Sequence, residues 1–335
     1  MATIKEIAEK TGFSQSTVSI VLRNRAKERK IPEKTQHIIL EAARQLNYRP
    51  SMAARQLRSG EGQESLRIAL FWANDFRTPM MVRFLKGLRR KMEGLETKIN
   101  LSIIPYVAGK LNQEDLLLSQ SGCHGAIICN ASEEDLTFLN QAVLPVPVVL
   151  YNRESEKYDT VQMDNEEIGR LAAETLCDSG CRTVRMIASA VSFPGAGDRN
   201  AAFEKKAGEL GLEVFPPLFC ESCRREGYSA IIRMERPEIP DGFFCSSDAL
   251  ALGVLRGLHE KKIACPEAVK VLAIGNGEPE EVAFSVPSLS VISLPMEEMA
   301  EECLGLLMDT LKNKSKTCAK KLPVRMILRE STEKR

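Results

Sequence analysis

Residues 3–22 read TIKEIAEKTGFSQSTVSIVL, and residues 47–60 read NYRPSMAARQLRSG. In the first stretch Ile4, Ile7 and Ala8 fall on one helical face. Thr3 is placed to cap that helix, with Glu6 completing a capping box. Gly12 permits a sharp stop. Ser14 can cap a second helix, whose inward face is Val18, Val21 and Leu22. A third helix opens near Pro32 and carries the stripe Ile38, Ile39, Ala42, Ala43 and Leu46, with Asn47 as its stop. Three short helices with a tight turn between the first two describe a helix-turn-helix domain over residues 1–48. In such a domain the start of the second helix meets base edges. Those positions are Gln15, Ser16 and Thr17, followed by Ser19 and Ile20. A glutamine can pair with adenine through two hydrogen bonds, serine and threonine can reach bases or phosphates, and Ile20 can only pack, best on a thymine methyl. Thr3, Arg23 and Asn24 complete the expected contact set.

The second stretch, residues 49–60, is expected to form a hinge helix. Ser51 can cap it, and Ala53, Ala54, Arg55, Gln56 and Leu57 favour it. A helix of two turns is marginal in water and orders only when something holds it. Leu57 stands between Gln56 and Arg58, the arrangement of an apolar wedge that enters a minor-groove base step between polar and basic flanks.

Charge is distributed to match. The 335 residues carry 46 basic and 45 acidic side chains, a net of +1. Residues 1–60 hold 12 basic and 5 acidic residues, a net of +7, which leaves −6 on the remainder. A basic head on an acidic body focuses phosphate attraction at one end.

Beyond the polar linker 61–65 the pattern changes. Apolar runs at 66–72, 101–106, 125–129, 146–151, 184–188, 242–245 and 269–275 read as strands. Helical patterns lie near 79–93, 132–143, 165–179, 197–210, 224–235, 248–261 and 295–312. Alternation of this kind predicts parallel sheets covered on both faces. About 270 residues exceed one comfortable sheet, so two similar α/β lobes with a cleft between them are expected over 61–335. Residues 158–163, 290–293 and 319–325 are candidate crossings, which divide the chain into a first lobe (about 64–160 and 293–320) and a second (about 163–290 and 321–331).

Together these segments resemble the lac repressor (LacI/GalR) family of bacterial transcription regulators. The likeness covers nearly the whole chain. It rests on the two N-terminal stretches, on MDNEEIGRLAAETL at 163–176 and on LPVRMILREST at 322–332. It implies an all-α helix-turn-helix headpiece and hinge helix, followed by a periplasmic-binding-protein-like core of two doubly wound lobes. It also implies a repressor that binds double-stranded operator DNA as a homodimer, with a small-molecule effector in the cleft and no cofactor. By the resemblance Gln15, Ser16, Thr17 and Ile20 match base-reading positions, and Leu57 matches the minor-groove wedge with Ala54 and Arg58 beside it. Ile20 departs from the Arg or polar reader common there. The segment RNRAKERKIPEKT at 23–35 is longer than in many members, and its extra basic residues either touch phosphates or solvate a loop.

Ligands of open α/β lobes bind beyond the carboxyl ends of strands. The candidate ends are 74–78, 152–153, 195–199, 246–248 and 275–277. From them Asp75, Phe76, Arg199, Asp248 and Asn276 are the expected effector contacts: a guanidinium fork, two carboxylates, a ring to stack and an amide. The resemblance favours Arg199 in GDRNAAF and Asp248 in SSDALALG. Residues 275–278 read Gly-Asn-Gly-Glu, where sugar-responsive relatives carry Gly-Phe-Asp-Asp, and 77–81 read Arg-Thr-Pro-Met-Met in place of Asn-Pro-Phe-Phe. More arginine and fewer carboxylates leave three options open: a sugar or other metabolite, an acidic or phosphorylated effector, or an empty cleft.

Other classes find little support. The chain lacks GxxxxGK[ST], GxSxG and HExxH, so an enzyme on a doubly wound fold is disfavoured. No apolar run of membrane-spanning length occurs, and no export signal opens the chain, which argues against an exported solute-binding protein and for a cytoplasmic one. A core of this fold that has lost ligand control of DNA binding is the remaining alternative. The ten cysteines read as free thiols, and Cys220-Glu221-Ser222-Cys223 lacks the further ligands of a zinc site.

Overall fold

The computed structural model describes residues 4–22, 26, 29, 31–46, 65–75, 77, 80–119, 122–190, 195–312 and 317–333. Two compact units divide the chain: Met1–Glu64 with Asp309–Lys316, and Ser65–Met308 with Thr317–Arg335.

In the first unit α1 (Ile4–Thr11), α2 (Gln15–Leu22) and α3 (Glu33–Gln45) enclose a small core. Ile7, Val18, Val21, Ile39, Ala42 and Ala43 are buried in it, as the 3.6-residue period predicts, and Ala26 joins them from outside the helices; Ile38, expected in the same stripe, is exposed instead, on the flank of α3. The turn between α1 and α2 passes through Gly12 at φ +72°, a left-handed conformation that glycine adopts without strain. Ser14 Oγ accepts the Thr17 N–H at 3.1 Å and so caps α2.

The second unit begins with β1 (Leu66–Ala73), α4 (Met81–Glu93), β2 (Ile99–Tyr106), α5 (Asp115–Leu118), β3 (Gly125–Cys129), α6 (Glu133–Gln141), β4 (Val148–Tyr151) and β5 (Asp159–Met163). It continues through α7 (Asn165–Asp178), β6 (Thr183–Ser189), α8 (Ala196–Glu209), β7 (Glu213–Cys220), α9 (Arg224–Arg233), β8 (Gly242–Cys245), α10 (Asp248–Glu260), β9 (Lys270–Gly275), α11 (Pro279–Ala283) and β10 (Ser290–Ser293). It closes with α12 (Met296–Leu311), β11 (Ala319–Leu322) and β12 (Arg325–Ile327).

Two six-stranded sheets result, in the orders β11-β5-β4-β3-β1-β2 and β12-β10-β9-β8-β6-β7. Every pairing is parallel except β10 with β12. All the runs expected as strands are strands, and all three candidate crossings carry strands, so each lobe is built from separate chain segments. β3, β4 and β8 are buried at every position, which explains their solid apolar reading. Each lobe has its own core, with Phe71, Ile128 and Leu150 in the first and Phe243, Val254 and Val271 in the second.

The sequence reading missed β7. This edge strand holds Pro216 and Pro217 and has no buried position, with exposed and half-buried residues in no two-residue period. Its pairing with β6 shifts register between Arg185 and Ile187, where the prolines need no ladder partner. Ser247 caps α10 by accepting the Leu250 N–H at 3.2 Å, so Asp248 is the first residue of that helix. Among the described residues no helix is long and apolar enough to cross a membrane. All ten cysteines are free thiols, five of them buried.

Candidate functional site

The first candidate surface is α2. Val18 and Val21 anchor it to the core of its unit, which turns Gln15 and Ser16 outward as exposed side chains at the helix start. Thr17, Ser19 and Ile20 are half-buried. The hydroxyls of Thr17 and Ser14 pair at 2.9 Å, so Thr17 is oriented from within while Gln15 and Ser16 face solvent. Ile20 offers apolar surface without a polar atom of its own. Of the other expected DNA contacts, Thr3, Arg23, Asn24, Ala54, Leu57 and Arg58 lie outside the described residues, as does Phe76 of the expected effector set.

The second candidate lies between the two sheets. A cavity of about 420 Å³ opens there, within the range of small-ligand sites. The first lobe contributes Glu133 and Leu136 from α6, Asn152, Arg153 and Glu154 after β4, and the end of β5. The second contributes Asn165 and Glu166 from α7 and Gly195 and Asp198 from the start of α8. Asp164 and Lys321 face each other at the crossings, with Nζ 2.8 Å from Oδ2, and both line the cavity. That pair and the Glu167 N–H hold the Asp164 carboxyl below its usual range despite partial burial.

Gly195 is required where it stands. Its φ is +84°, and a Cβ there would lie 2.3 Å from Asn165 Nδ2. The resulting close approach lets the α7 and α8 starts share one wall of the cavity.

Arg153 is the innermost charge. It is 2% exposed, and its Nε donates to the Ala131 carbonyl at 2.6 Å and its Nη1 to the Asn152 carbonyl at 2.5 Å. Burial, then the positive Arg77, lowers its pKa to about 10. Its Nη2 has no hydrogen-bond partner among the described residues. Other buried donors in that condition include Trp72 Nε1 near the end of β1, Asn130 Nδ2 just beyond β3, and Tyr151 OH at the end of β4. β4, β3 and β1 are adjacent central strands, so the four groups lie toward the carboxyl ends of the first sheet, and of them only Arg153 lines the cavity. The rings of Trp72, Phe84 and Tyr151 pack together there, at centroid distances of 5.0–6.3 Å.

None of the expected contacts Asp75, Arg199, Asp248 and Asn276 lines the cavity itself. Asp75 holds Arg77, whose Nε lies 3.1 Å from each carboxylate oxygen. Arg199 is buried and donates from Nη2 to Asn165 Oδ1 at 2.8 Å, so it meets the cavity through Asn165. Burial lowers its pKa to about 10. Asp248 accepts the Gly277 N–H at 2.6 Å, and burial raises its carboxyl pKa in spite of that bond. Asn276 is half-buried next to Gly277. Arg83 of α4 spans the lobes. It forks onto Glu297 at 2.7 and 2.8 Å and also donates to the carbonyls of Gly275 and Leu294. Lys86 and Glu278 form a second bridge, at 3.1 Å.

Sequence reasoning offered residues 152–153 among the strand ends but did not single out Arg153, Asn165 or Asp198. The signal was present in the cap of α7: Asp164 closes the first helical turn of the segment 163–176 and leaves Asn165 and Glu166 at its open end.

Comparison with known proteins follows the same division. Residues 3–51 match the family "Bacterial regulatory proteins, lacI family", and residues 173–332 match "Periplasmic binding protein-like domain". The chain is similar to the HTH-type transcriptional repressor PurR of Pasteurella multocida, 25% identical over all of both chains. It is also similar to the HTH-type transcriptional regulator GanR of Bacillus subtilis, 26% identical over 95% of each. Among solved structures, a LacI family transcription regulator from Clostridium acetobutylicum superposes with a TM-score of 0.75. That match is 28% identical and covers 79% of this chain and all of the other.

Proposed function

Starting from a chain that belongs to the lacI family of bacterial regulatory proteins, we propose a homodimeric transcriptional repressor whose grip on operator DNA is set by a polar small molecule between its lobes. The observation that carries this reading is a cavity walled by both lobes in a chain that also bears an exposed reading helix. A ligand that touches both walls changes the free energy of their approach, and differential contact of that kind is what ligand control requires.

Gln15 and Ser16 are the base readers, with Thr17, Ser19 and Ile20 along the same helix. Thr3, Arg23 and Asn24 position the headpiece, and Leu57 between Ala54 and Arg58 is the minor-groove wedge. The headpiece spans 1–48, the hinge 49–60 and the core 61–335. In the core Arg153, Asn165 and Asp198 meet the ligand. Asp75, Arg199, Asp248 and Asn276 frame the cleft, with Arg199 acting through Asn165, and Phe76 is a further effector contact.

The test is selection of bound sequences from random DNA by the full chain. A near-palindromic operator is the expected product, and Gln15→Ala relaxes preference at one position per half-site, at a cost of about 1–3 kcal/mol there. Affinity falls steeply with salt because each dimer neutralises several phosphates. Recovery of no preferred sequence, or a flat salt response, overturns the reading.

A further inference from the structure

The charge and donor arrangement of the cavity identify the kind of ligand it takes. Its carboxylates are Glu133, Glu154, Asp164, Glu166 and Asp198, and its cations are Arg153 and Lys321. Lys321 is paired with Asp164, which leaves four carboxylates facing one guanidinium. The two kinds of charge are segregated. Glu133, Glu154, Glu166 and Asp198 are exposed, at the rim. Arg153 is buried, and its Nη2 hydrogen bonds to nothing among the described residues.

A buried guanidinium N–H without an acceptor costs desolvation energy that an incoming oxygen would recover. The rim makes the opposite demand, since four carboxylates repel an anion and attract an amine.

We propose that the cavity binds a small ligand of net positive charge that turns a carboxylate or carbonyl inward to Arg153 and a cationic amine or guanidine outward to the rim, the chemistry of a basic amino acid. The assignment rests on the reading of this cavity as the regulatory site. It excludes phosphorylated effectors, whose charge the rim opposes.

The experiment uses the full chain with L-arginine, L-lysine, agmatine, glucose and glucose 6-phosphate as probes, read by calorimetric titration and by melting temperature. L-Arginine or L-lysine binds. Agmatine, which has the cation and lacks the carboxylate, binds about tenfold more weakly, as the loss of one charge-assisted hydrogen bond predicts. Glucose 6-phosphate does not bind. Asp198→Asn and Glu166→Gln, both exposed and expected to leave folding intact, each weaken L-arginine binding about three- to tenfold, and Arg153→Lys removes the preference for L-arginine over agmatine.

Equal or tighter binding of glucose or glucose 6-phosphate overturns the proposal, as does failure of both basic amino acids to bind. Unchanged L-arginine affinity in both rim variants also overturns it. Operator selection separates this outcome from the reading beneath it. A chain that selects an operator and ignores basic amino acids refutes the ligand class alone, whereas one that binds them and selects no DNA refutes the repressor.

Discussion

Replacing Gly87 with alanine should destabilise the core, although helix propensity alone predicts the reverse. Gly87 lies on α4, where α4 runs against the start of α12, and it is buried. A Cβ built there would lie 2.1 Å from the Glu297 carbonyl oxygen and 2.7 Å from its Cα and carbonyl carbon. Ordinary contact for such atoms is about 3.5 Å, so the two helices would have to part by about 1 Å. The atoms met are backbone, and no rotamer change can clear them.

The intrinsic gain from removing a mid-helix glycine is about 1 kcal/mol. Forcing an extra carbon into a packed contact costs about 1–3 kcal/mol, and the absence of a flexible neighbour puts this site at the upper end. The net is a loss of about 1–2 kcal/mol. The displacement also pulls at Arg83, one turn earlier on α4, whose fork onto Glu297 and bond to the Gly275 carbonyl tie the lobes together. The variant should therefore melt several degrees below the parent by calorimetry, and its change in operator affinity on adding ligand should shrink. A melting point equal to or above the parent's would refute the reasoning, since it would mean that α4 and α12 are not in the contact described.

Gly208 is the control: it is helical in α8 and a Cβ there meets nothing within 4 Å, so Gly208→Ala should raise stability by about 0.5–1 kcal/mol in the same melt. Ser14→Ala should cost the headpiece about 1 kcal/mol by uncapping α2, read as a lower melting point of that unit and weaker operator binding. Burial raises the Glu297 carboxyl, but the Arg83 fork outweighs it and the net pKa lies below the usual glutamate value. A carboxyl depressed in the folded state stabilises above its unfolded pKa and loses that contribution as pH falls through the folded one. Glu297→Gln should therefore flatten the acid limb of the melting curve below about pH 4.5 and leave its shape near neutrality unchanged.

The plainest strands in the sequence were those buried on both faces, such as Gly125–Cys129 and Gly242–Cys245, where every side chain answers to the same apolar demand; Ile99–Tyr106 was legible too, although only Tyr106 in it is buried. The helices declared themselves by period, as in Asn165–Asp178, where Ile168, Ala172, Ala173 and Leu176 are the buried stripe. Glu213–Cys220 did not, because an edge strand with a register shift owes neither a solid nor an alternating pattern. Its two prolines sit at the irregularity in its pairing with β6.

The ligand site was harder for a different reason. Counting charges along the strand ends showed more arginine and fewer carboxylates, which left a sugar or other metabolite, an anionic effector and an empty cleft all open. Folding engages two of those arginines inside the protein, Arg77 on Asp75 and Arg199 on Asn165. The carboxylates that remain open to the cavity come from α6, the loop after β4, the start of α7 and the start of α8, separated by up to 65 positions in the chain. No window of sequence contains them together, and each alone reads as an ordinary solvated residue at a helix start or in a loop. The sign of the site's charge is therefore a property of pairing in the folded chain. Composition reports how many charges there are, and burial decides which of them a ligand meets.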